Sequence, residues 1–245
     1  MERVRDLLRR LSDWILPPVC AACGAAGLDL PVSGWCCGCL DRVRLVGSPL
    51  CPLCGRPYPA TEAMPDHRCG ECLEGRFRFD RARSAAVYEE AVQKGILELK
   101  FHGSLHWAEA LAALILRNPH TRDMLSAADF LVPVPLHPHR IRQRGFNQAS
   151  VLAHRLARRT GHRVEKVLER RRKTMPQTRL SRRERLENVR GAFQVLNPHR
   201  VKGRKIVVID DVFTTGTTLS ECARALKTAR AACVGVVTVA RATPP

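Results

Sequence analysis

The thirteen residues from Ile206 to Thr218, Ile-Val-Val-Ile-Asp-Asp-Val-Phe-Thr-Thr-Gly-Thr-Thr, constrain this chain more than any other stretch. Four consecutive β-branched residues fit a strand buried on both faces, the situation of a parallel sheet covered by helices on either side. The run stops at Asp210 and Asp211 and breaks into a hydroxyl-rich loop around Gly216, and Thr218 and Glu221 have the spacing of a capping box for a helix onward from Leu219. Backbone N–H groups at such a loop and helix start form an anion site, to which the hydroxyls of Thr214, Thr215, Thr217 and Thr218 add donors. Carboxylates accept hydrogen bonds and repel phosphate. Asp210 and Asp211 therefore suit the vicinal hydroxyls of a ribose whose 5-phosphate lies in the loop. The bland alternative, two aspartates that only cap a helix, needs one carboxylate and leaves the run of small and hydroxyl residues without a purpose.

The first third of the chain is written differently. Cys20 and Cys23, Cys36 and Cys39, Cys51 and Cys54, and Cys69 and Cys72 form four Cys-x-x-Cys pairs. Each pair is a knuckle that presents two thiolates to one ion, and zinc takes four in a tetrahedron. Pairing neighbours in order predicts two four-cysteine zinc sites, with Cys37 as the alternative to Cys36 in the first. With sulfur in all four positions no place is left for water, so both ions are expected to be structural. Little else in this glycine- and proline-rich segment could form a core, so metal is expected to supply much of its stability. The competing redox reading of a Cys-x-x-Cys pair needs a βαβ context that is absent here. Cys222 and Cys233 read as small buried hydrophobes.

The chain has eleven cysteines and no export signal or membrane span, which points to metal-bound or reduced thiols in the cytoplasm. Met1 to Leu16 places Val4, Leu7, Leu8, Leu11 and Ile15 on one face of an amphipathic helix, packed on its own protein or, less simply, on a membrane surface. The net charge of +18 is concentrated: Arg140 to Arg190 carries 17 Lys or Arg against 4 acids, a net of +13. Such a field attracts pyrophosphate, nucleotides or nucleic acid without choosing among them, and an arginine-rich solvated surface is the plain alternative.

From about Ala82 helical and strand periods begin. Ala85 to Tyr88 reads as an edge strand, Val92, Ile96 and Leu99 as one helix face ending at Gly103, Leu105 to Leu116 as a buried helix, and Asp129 to Val134 as a strand. Pro133, Pro135 and Pro138 then set a stiff loop that leads through Arg140, Arg142, Arg144 and Gly145 to a helix bearing Val151, Leu152 and Leu156. Arginine and glycine ahead of a helix start repeat the phosphate logic, so Arg144 and Gly145 are the expected pyrophosphate loop. Residues 170–191 lack a long apolar run and read as a flexible basic loop that either closes over the sugar or follows the phosphates of single-stranded DNA.

Four hydrophobic residues, two acids, two hydrophobic residues and a Thr-Gly-Thr loop resemble the 5-phosphoribosyl 1-pyrophosphate (PRPP) signature of type I phosphoribosyltransferases. The ordered set of cysteine knuckles, Leu99-Lys100-Phe101-His102-Gly103, Val132-Pro133-Val134-Pro135, Arg144-Gly145-Phe146-Asn147-Gln148, then Gln177, Arg185, Asn188, Val189, Gly191 and Phe193, and the acidic pair, is similar to the ComF/GntX family along nearly the whole chain. The resemblance implies an α/β fold, a type I phosphoribosyltransferase-like parallel sheet with flanking helices, over residues 79–245. A small double zinc ribbon over 17–78 and the N-terminal helix over 1–16 would precede it. It further implies PRPP with Mg2+ at Asp210, Asp211, the 214–218 loop, Arg144 and Gly145, two structural zinc ions, and a link to DNA uptake and competence-machinery proteins. The family carries no settled reaction. The residues themselves leave open an enzyme, with Asp210, Asp211 and Arg144 at its catalytic centre, and a non-catalytic, PRPP-responsive adaptor that binds single-stranded DNA.

Overall fold

The computed structural model describes residues 17–27, 29–59, 64–171 and 191–243. The expected N-terminal helix and nearly all of the expected basic loop lie outside the described residues. Two short helical turns inside cysteine knuckles come first, α1 (Cys37–Leu40) and α2 (Gly70–Leu73). Strand β1 (Arg81–Val87) follows, then α3 (Glu90–His102), α4 (Leu105–Arg117) and α5 (Pro119–Ser126), and β2 (Phe130–Pro133). After α6 (Pro138–Arg144) and α7 (Gln148–Thr160) come the short strands β3 (Arg163–Val164), β4 (Leu168–Arg170) and β5 (Phe193–Val195). The chain closes with α8 (Pro198–Val201), β6 (Lys205–Phe213), α9 (Thr217–Thr228) and β7 (Cys233–Arg241).

Five strands form one sheet in the order β1-β7-β6-β2-β3, every pair parallel, while β4 and β5 form a separate antiparallel pair. The aliphatic run of β6 lies inside that sheet, as expected of residues buried on both faces. Its side chains alternate. Val207 and Ile209 join the core under α3, α4 and α7, and Ile206 and Val208 join the opposite core with Leu219, Ala223 and Leu226 of α9. β1 is the edge strand that the sequence suggests, and Gly103 ends α3 in a left-handed conformation. The stiff proline loop differs from expectation: Pro138 opens the short helix α6, whose first position tolerates a residue without N–H.

The ribbon shares both cores with the sheet. Trp35, fully buried, donates its indole N–H to the Ala110 carbonyl at 2.9 Å and meets Trp107 edge-on at 5.7 Å between centroids. A Cβ on Gly34 would stand 2.7 Å from that of Ala110, so glycine is what lets the first ribbon reach α4. On the other side the Ala82 amide donates to the Leu53 carbonyl at 2.7 Å, joining β1 to the knuckle between Cys51 and Cys54. Among the described residues no helix is long and apolar enough to cross a membrane.

Candidate functional site

β6 ends by delivering Asp210 and Asp211 to the carboxyl edge of the sheet, where open α/β sheets bind ligands. The chain then turns through Thr214, Thr215 and Gly216 into α9. Gly216 occupies the N-cap position with φ +70° and no side chain caps the helix, so the Thr218–Glu221 capping box does not form. Glu221 instead accepts from the Gly191 amide at 3.0 Å and from Arg224. The first turn of α9 thereby faces a cleft of about 620 Å³ with backbone N–H groups, and Thr215 and Thr217 share a hydroxyl hydrogen bond of 2.9 Å beside it.

The same cleft is lined by Asp210, Asp211, Lys100, Phe101 and all five residues from Thr214 to Thr218. Arg140, Arg144 and Arg170 form its basic wall. Asp211 is only 4% exposed; its Oδ1 lies 3.1 Å from the Lys100 Nζ, and its buried Oδ2 has no hydrogen-bond partner among the described residues. Asp210 accepts from the Asp211 amide at 2.9 Å. Burial, and after it the neighbouring Asp211 charge, push Asp210 up to about 7. Burial works against the charge on Lys100, but Asp211 and Asp210 outweigh it and hold the ammonium above its ordinary range.

The basic wall is crowded by its own charge. Burial and then Arg144 lower Arg140, and burial and then Arg140 lower Arg170. Three guanidinium groups on one wall make a strong field for a polyanion placed between them. Arg144 sits 5.3 Å over the ring of Phe101, a side chain 63% exposed at the rim. Gly145 does not line the cleft; its φ of +78° ends α6 and turns the chain toward α7. Arg170 is no part of a surface loop, since it closes β4, is buried and lies over Phe193 at 5.4 Å.

Lys100 carried a signal that the sequence reading passed over. It continues Val92 and Ile96 at four-residue spacing, which puts a charged residue on the buried face of α3, where it needs a partner. Arg170 gave no comparable signal, because it stands first in the run Arg170 to Lys173.

The two cysteine tetrads assemble as paired in sequence order. Within each of Cys20, Cys23, Cys36, Cys39 and Cys51, Cys54, Cys69, Cys72 the sulfur atoms lie within 4.8 Å of one another. Cys37 is exposed and outside the first set, which decides between it and Cys36. Four thiols packed this closely cannot all ionise unaided: burial first, and then neighbouring thiols, drive Cys39 up to about 12 and Cys54 up to about 11. Cys20 and Cys51 go the other way. Burial raises them, but backbone N–H groups of their own and the facing knuckle bring each down to about 6. Sulfur-only, mostly buried tetrads primed with one thiolate each fit zinc at structural sites.

Comparison with known proteins agrees with this geometry. A phosphoribosyl transferase domain model matches residues 141–243, and a double zinc ribbon domain model matches residues 11–73. The chain is 35% identical to the DNA utilization protein YhgH of Salmonella typhimurium over 227 residues, covering 90% of this chain and 96% of that protein. It is 28% identical to competence protein F of Haemophilus influenzae, covering 82% and 87%, and 29% identical to competence protein ComFC of Bacillus subtilis, covering 84% and 83%.

Proposed function

Because this chain belongs to the ComF family, a double zinc ribbon joined to a phosphoribosyltransferase domain, we propose that it binds PRPP and serves the uptake or use of DNA. One observation carries the reading. Asp211, whose buried Oδ2 has no hydrogen-bond partner among the described residues, lines the same cleft as the small-residue loop at the start of α9 and three like-charged arginines. Donor-bearing hydroxyls answer the first, a terminal phosphate the second and a pyrophosphate the third, and PRPP has all three. Magnesium accompanies PRPP and neutralises part of its pyrophosphate charge.

In this reading the loop from Thr214 to Thr218 holds the 5-phosphate, Asp210 and Asp211 hold the ribose hydroxyls, and Arg144 with Arg140 and Arg170 hold the pyrophosphate. Transfer forms a bond from the acceptor to the anomeric carbon while the bond to pyrophosphate breaks and its electron pair leaves with that group. The chain contributes orientation and charge stabilisation of the leaving group. The second reading, a PRPP-responsive adaptor without turnover, is favoured by Phe101: an exposed ring beside Arg144 supplies a stacking surface for single-stranded DNA, whereas the one aromatic of the basic block, Phe146, is partly buried against the core.

Calorimetry on zinc-replete protein with Mg2+ and PRPP tests the shared premise, and no heat with any phosphorylated ribose defeats it. Pyrophosphate release in the presence of bases, ammonia or DNA then separates enzyme from adaptor: release supports transfer, and tight binding without release supports the adaptor.

The raised Asp210 sets a pH dependence. An aspartate must be ionised to accept ribose hydroxyls, so PRPP affinity is expected to rise by about tenfold per unit as pH climbs from about 5.5 toward 7, then level off. For folding the sign is opposite: the folded state holds this proton more tightly than the unfolded chain, so stability is lost as pH rises from the ordinary aspartate value of 3.8 to about 7. Asp210→Asn is expected to remove the Asp210 part of both slopes. The phosphate's own ionisation, near pH 6, stays in the variant and is subtracted by the comparison. An unchanged slope in Asp210→Asn would exclude this residue as the titrating group.

A further inference from the structure

Two buried arginines flank the second cysteine tetrad, and among the described residues neither forms an ion pair with a carboxylate. Arg241, the last residue of β7 and 4% exposed, donates from Nη1 to the Cys54 carbonyl at 2.6 Å and from Nη2 to the Cys54 sulfur at 3.5 Å. Arg83 of β1 donates from Nη2 to the Pro52 carbonyl at 3.0 Å and from Nη1 to the Ala82 carbonyl at 2.7 Å. A buried cation needs a counter-charge. Four thiolates around a divalent ion carry a net charge of about −2, which two guanidinium groups balance. The first tetrad is built otherwise: Arg42 reaches the Cys39 sulfur only at 3.8 Å and from the surface.

The far side of Arg241 leads to the phosphate loop. Its guanidinium carbon lies 4.1 Å from the centroid of Phe213, which follows Asp211 by two residues. Phe77 and Phe79, stacked on each other at 4.9 Å just after the last knuckle, meet Phe213 edge-on at 5.9 and 6.0 Å. A Cβ on Gly216 would stand 2.5 Å from Phe213 and 2.8 Å from Phe77, so the two rings press directly on the loop backbone. A second tie joins the same linker to α9, where the Arg78 amide donates to Ser220 Oγ at 3.1 Å.

We propose that Arg241 is a positioning residue that couples the metal state of the second tetrad to the shape of the phosphate loop, through Phe213 and Gly216. With metal bound, the thiolate charge holds the guanidinium inward over the face of Phe213, whose ring edge rests against the loop. Without metal, most of that counter-charge is gone, and Phe213 loses the support that fixes Gly216 in its left-handed conformation. Coupling of this kind is reciprocal: a ligand in the loop stabilises metal in the second tetrad and not in the first. The proposal rests on the loop being the sugar-phosphate site, as argued above.

Differential alkylation of full-length, two-zinc protein in the presence of a chelator reads this without reference to turnover, because peptides identify which cysteines react. Saturating ribose 5-phosphate is expected to slow alkylation of Cys51, Cys54, Cys69 and Cys72 by about fivefold or more, and to leave Cys20, Cys23, Cys36 and Cys39 unchanged. Arg241→Met should keep both zinc ions, bind ribose 5-phosphate several-fold more weakly by calorimetry and lose the selective protection; Arg241→Lys should restore part of it. Ligand that binds wild-type protein while protecting neither tetrad, or both alike, overturns the coupling and leaves the phosphate-site reading intact. Protection that survives in Arg241→Met overturns the role of Arg241. Should Arg241→Met fail to fold, the wild-type pattern alone decides the coupling. Absence of any binding to wild-type protein overturns the reading and the coupling together.

Discussion

Asp211→Asn is expected to weaken PRPP binding by about 100-fold or more and to abolish any pyrophosphate release. Each hydrogen bond from a ribose hydroxyl to a carboxylate contributes about 1.5–3 kcal/mol, and the buried Oδ2 has no partner without ligand, so two such bonds are at stake. The amide keeps the shape and loses the charge. It also takes from Lys100 the nearer of its two carboxylates, with Nζ 3.1 Å from Oδ1; breaking a fully buried pair destabilises by about 3–5 kcal/mol, and the remaining Asp210 charge and the partial exposure of the lysine put the loss below that range. Stability and binding therefore have to be separated. Lys100→Met in the Asp211→Asn background should return much of the lost stability, because the lysine charge is then removed together with its nearest partner, while binding stays lost. An Asp211→Asn protein that binds PRPP within a few-fold of wild type would remove Asp211 from the site.

That pairing marks the boundary of what the sequence could tell. The acids, the loop and the cysteine tetrads were legible because their chemistry is local: a strand ends, two carboxylates follow, small residues turn the chain, and two thiols three residues apart face one ion. β6 could be read as central because a buried parallel strand must be aliphatic on both faces. Lys100, Arg170 and Arg241 enter from elements distant in the chain, and only the partners the fold brings to them give them a role. The capping box at Thr218 failed for a related reason. Gly216 took the N-cap position in a conformation dictated by the rings of Phe213 and Phe77, and Glu221 was drawn to the Gly191 amide. The ribbon was expected to draw much of its stability from metal, and Trp35, Arg83 and the Phe77–Phe79 stack add contacts that fasten it to both sides of the sheet, which no local pattern foretold.

The second large effect is expected on removing zinc. Structural zinc in small peptides is worth roughly 10–16 kcal/mol, as much as the entire stability of an ordinary domain of about 5–15 kcal/mol. Metal analysis should find about two ions per chain, and chelation should collapse the ribbon. The consequence for the rest of the chain depends on the ribbon's attachments. Trp35 is fixed between the first tetrad and α4, stacked edge-on against Trp107, so the near-ultraviolet dichroism of that pair should disappear with the first ion. Cys51, Cys54, Cys69 and Cys72 are all buried in the core that also holds Val208, Val236 and Phe213, whereas Cys23 of the first tetrad is exposed. Cys54→Ser is therefore expected to lower the melting temperature of the whole protein more than Cys23→Ser, because losing the second ion opens the sheet's own core and removes most of the negative charge that faces the buried Arg241. Equal effects of the two substitutions would mean that the tetrads stabilise the ribbon alone. Metal-free protein that kept both its dichroism and its melting temperature would mean that packing against the sheet, and not zinc, holds the ribbon.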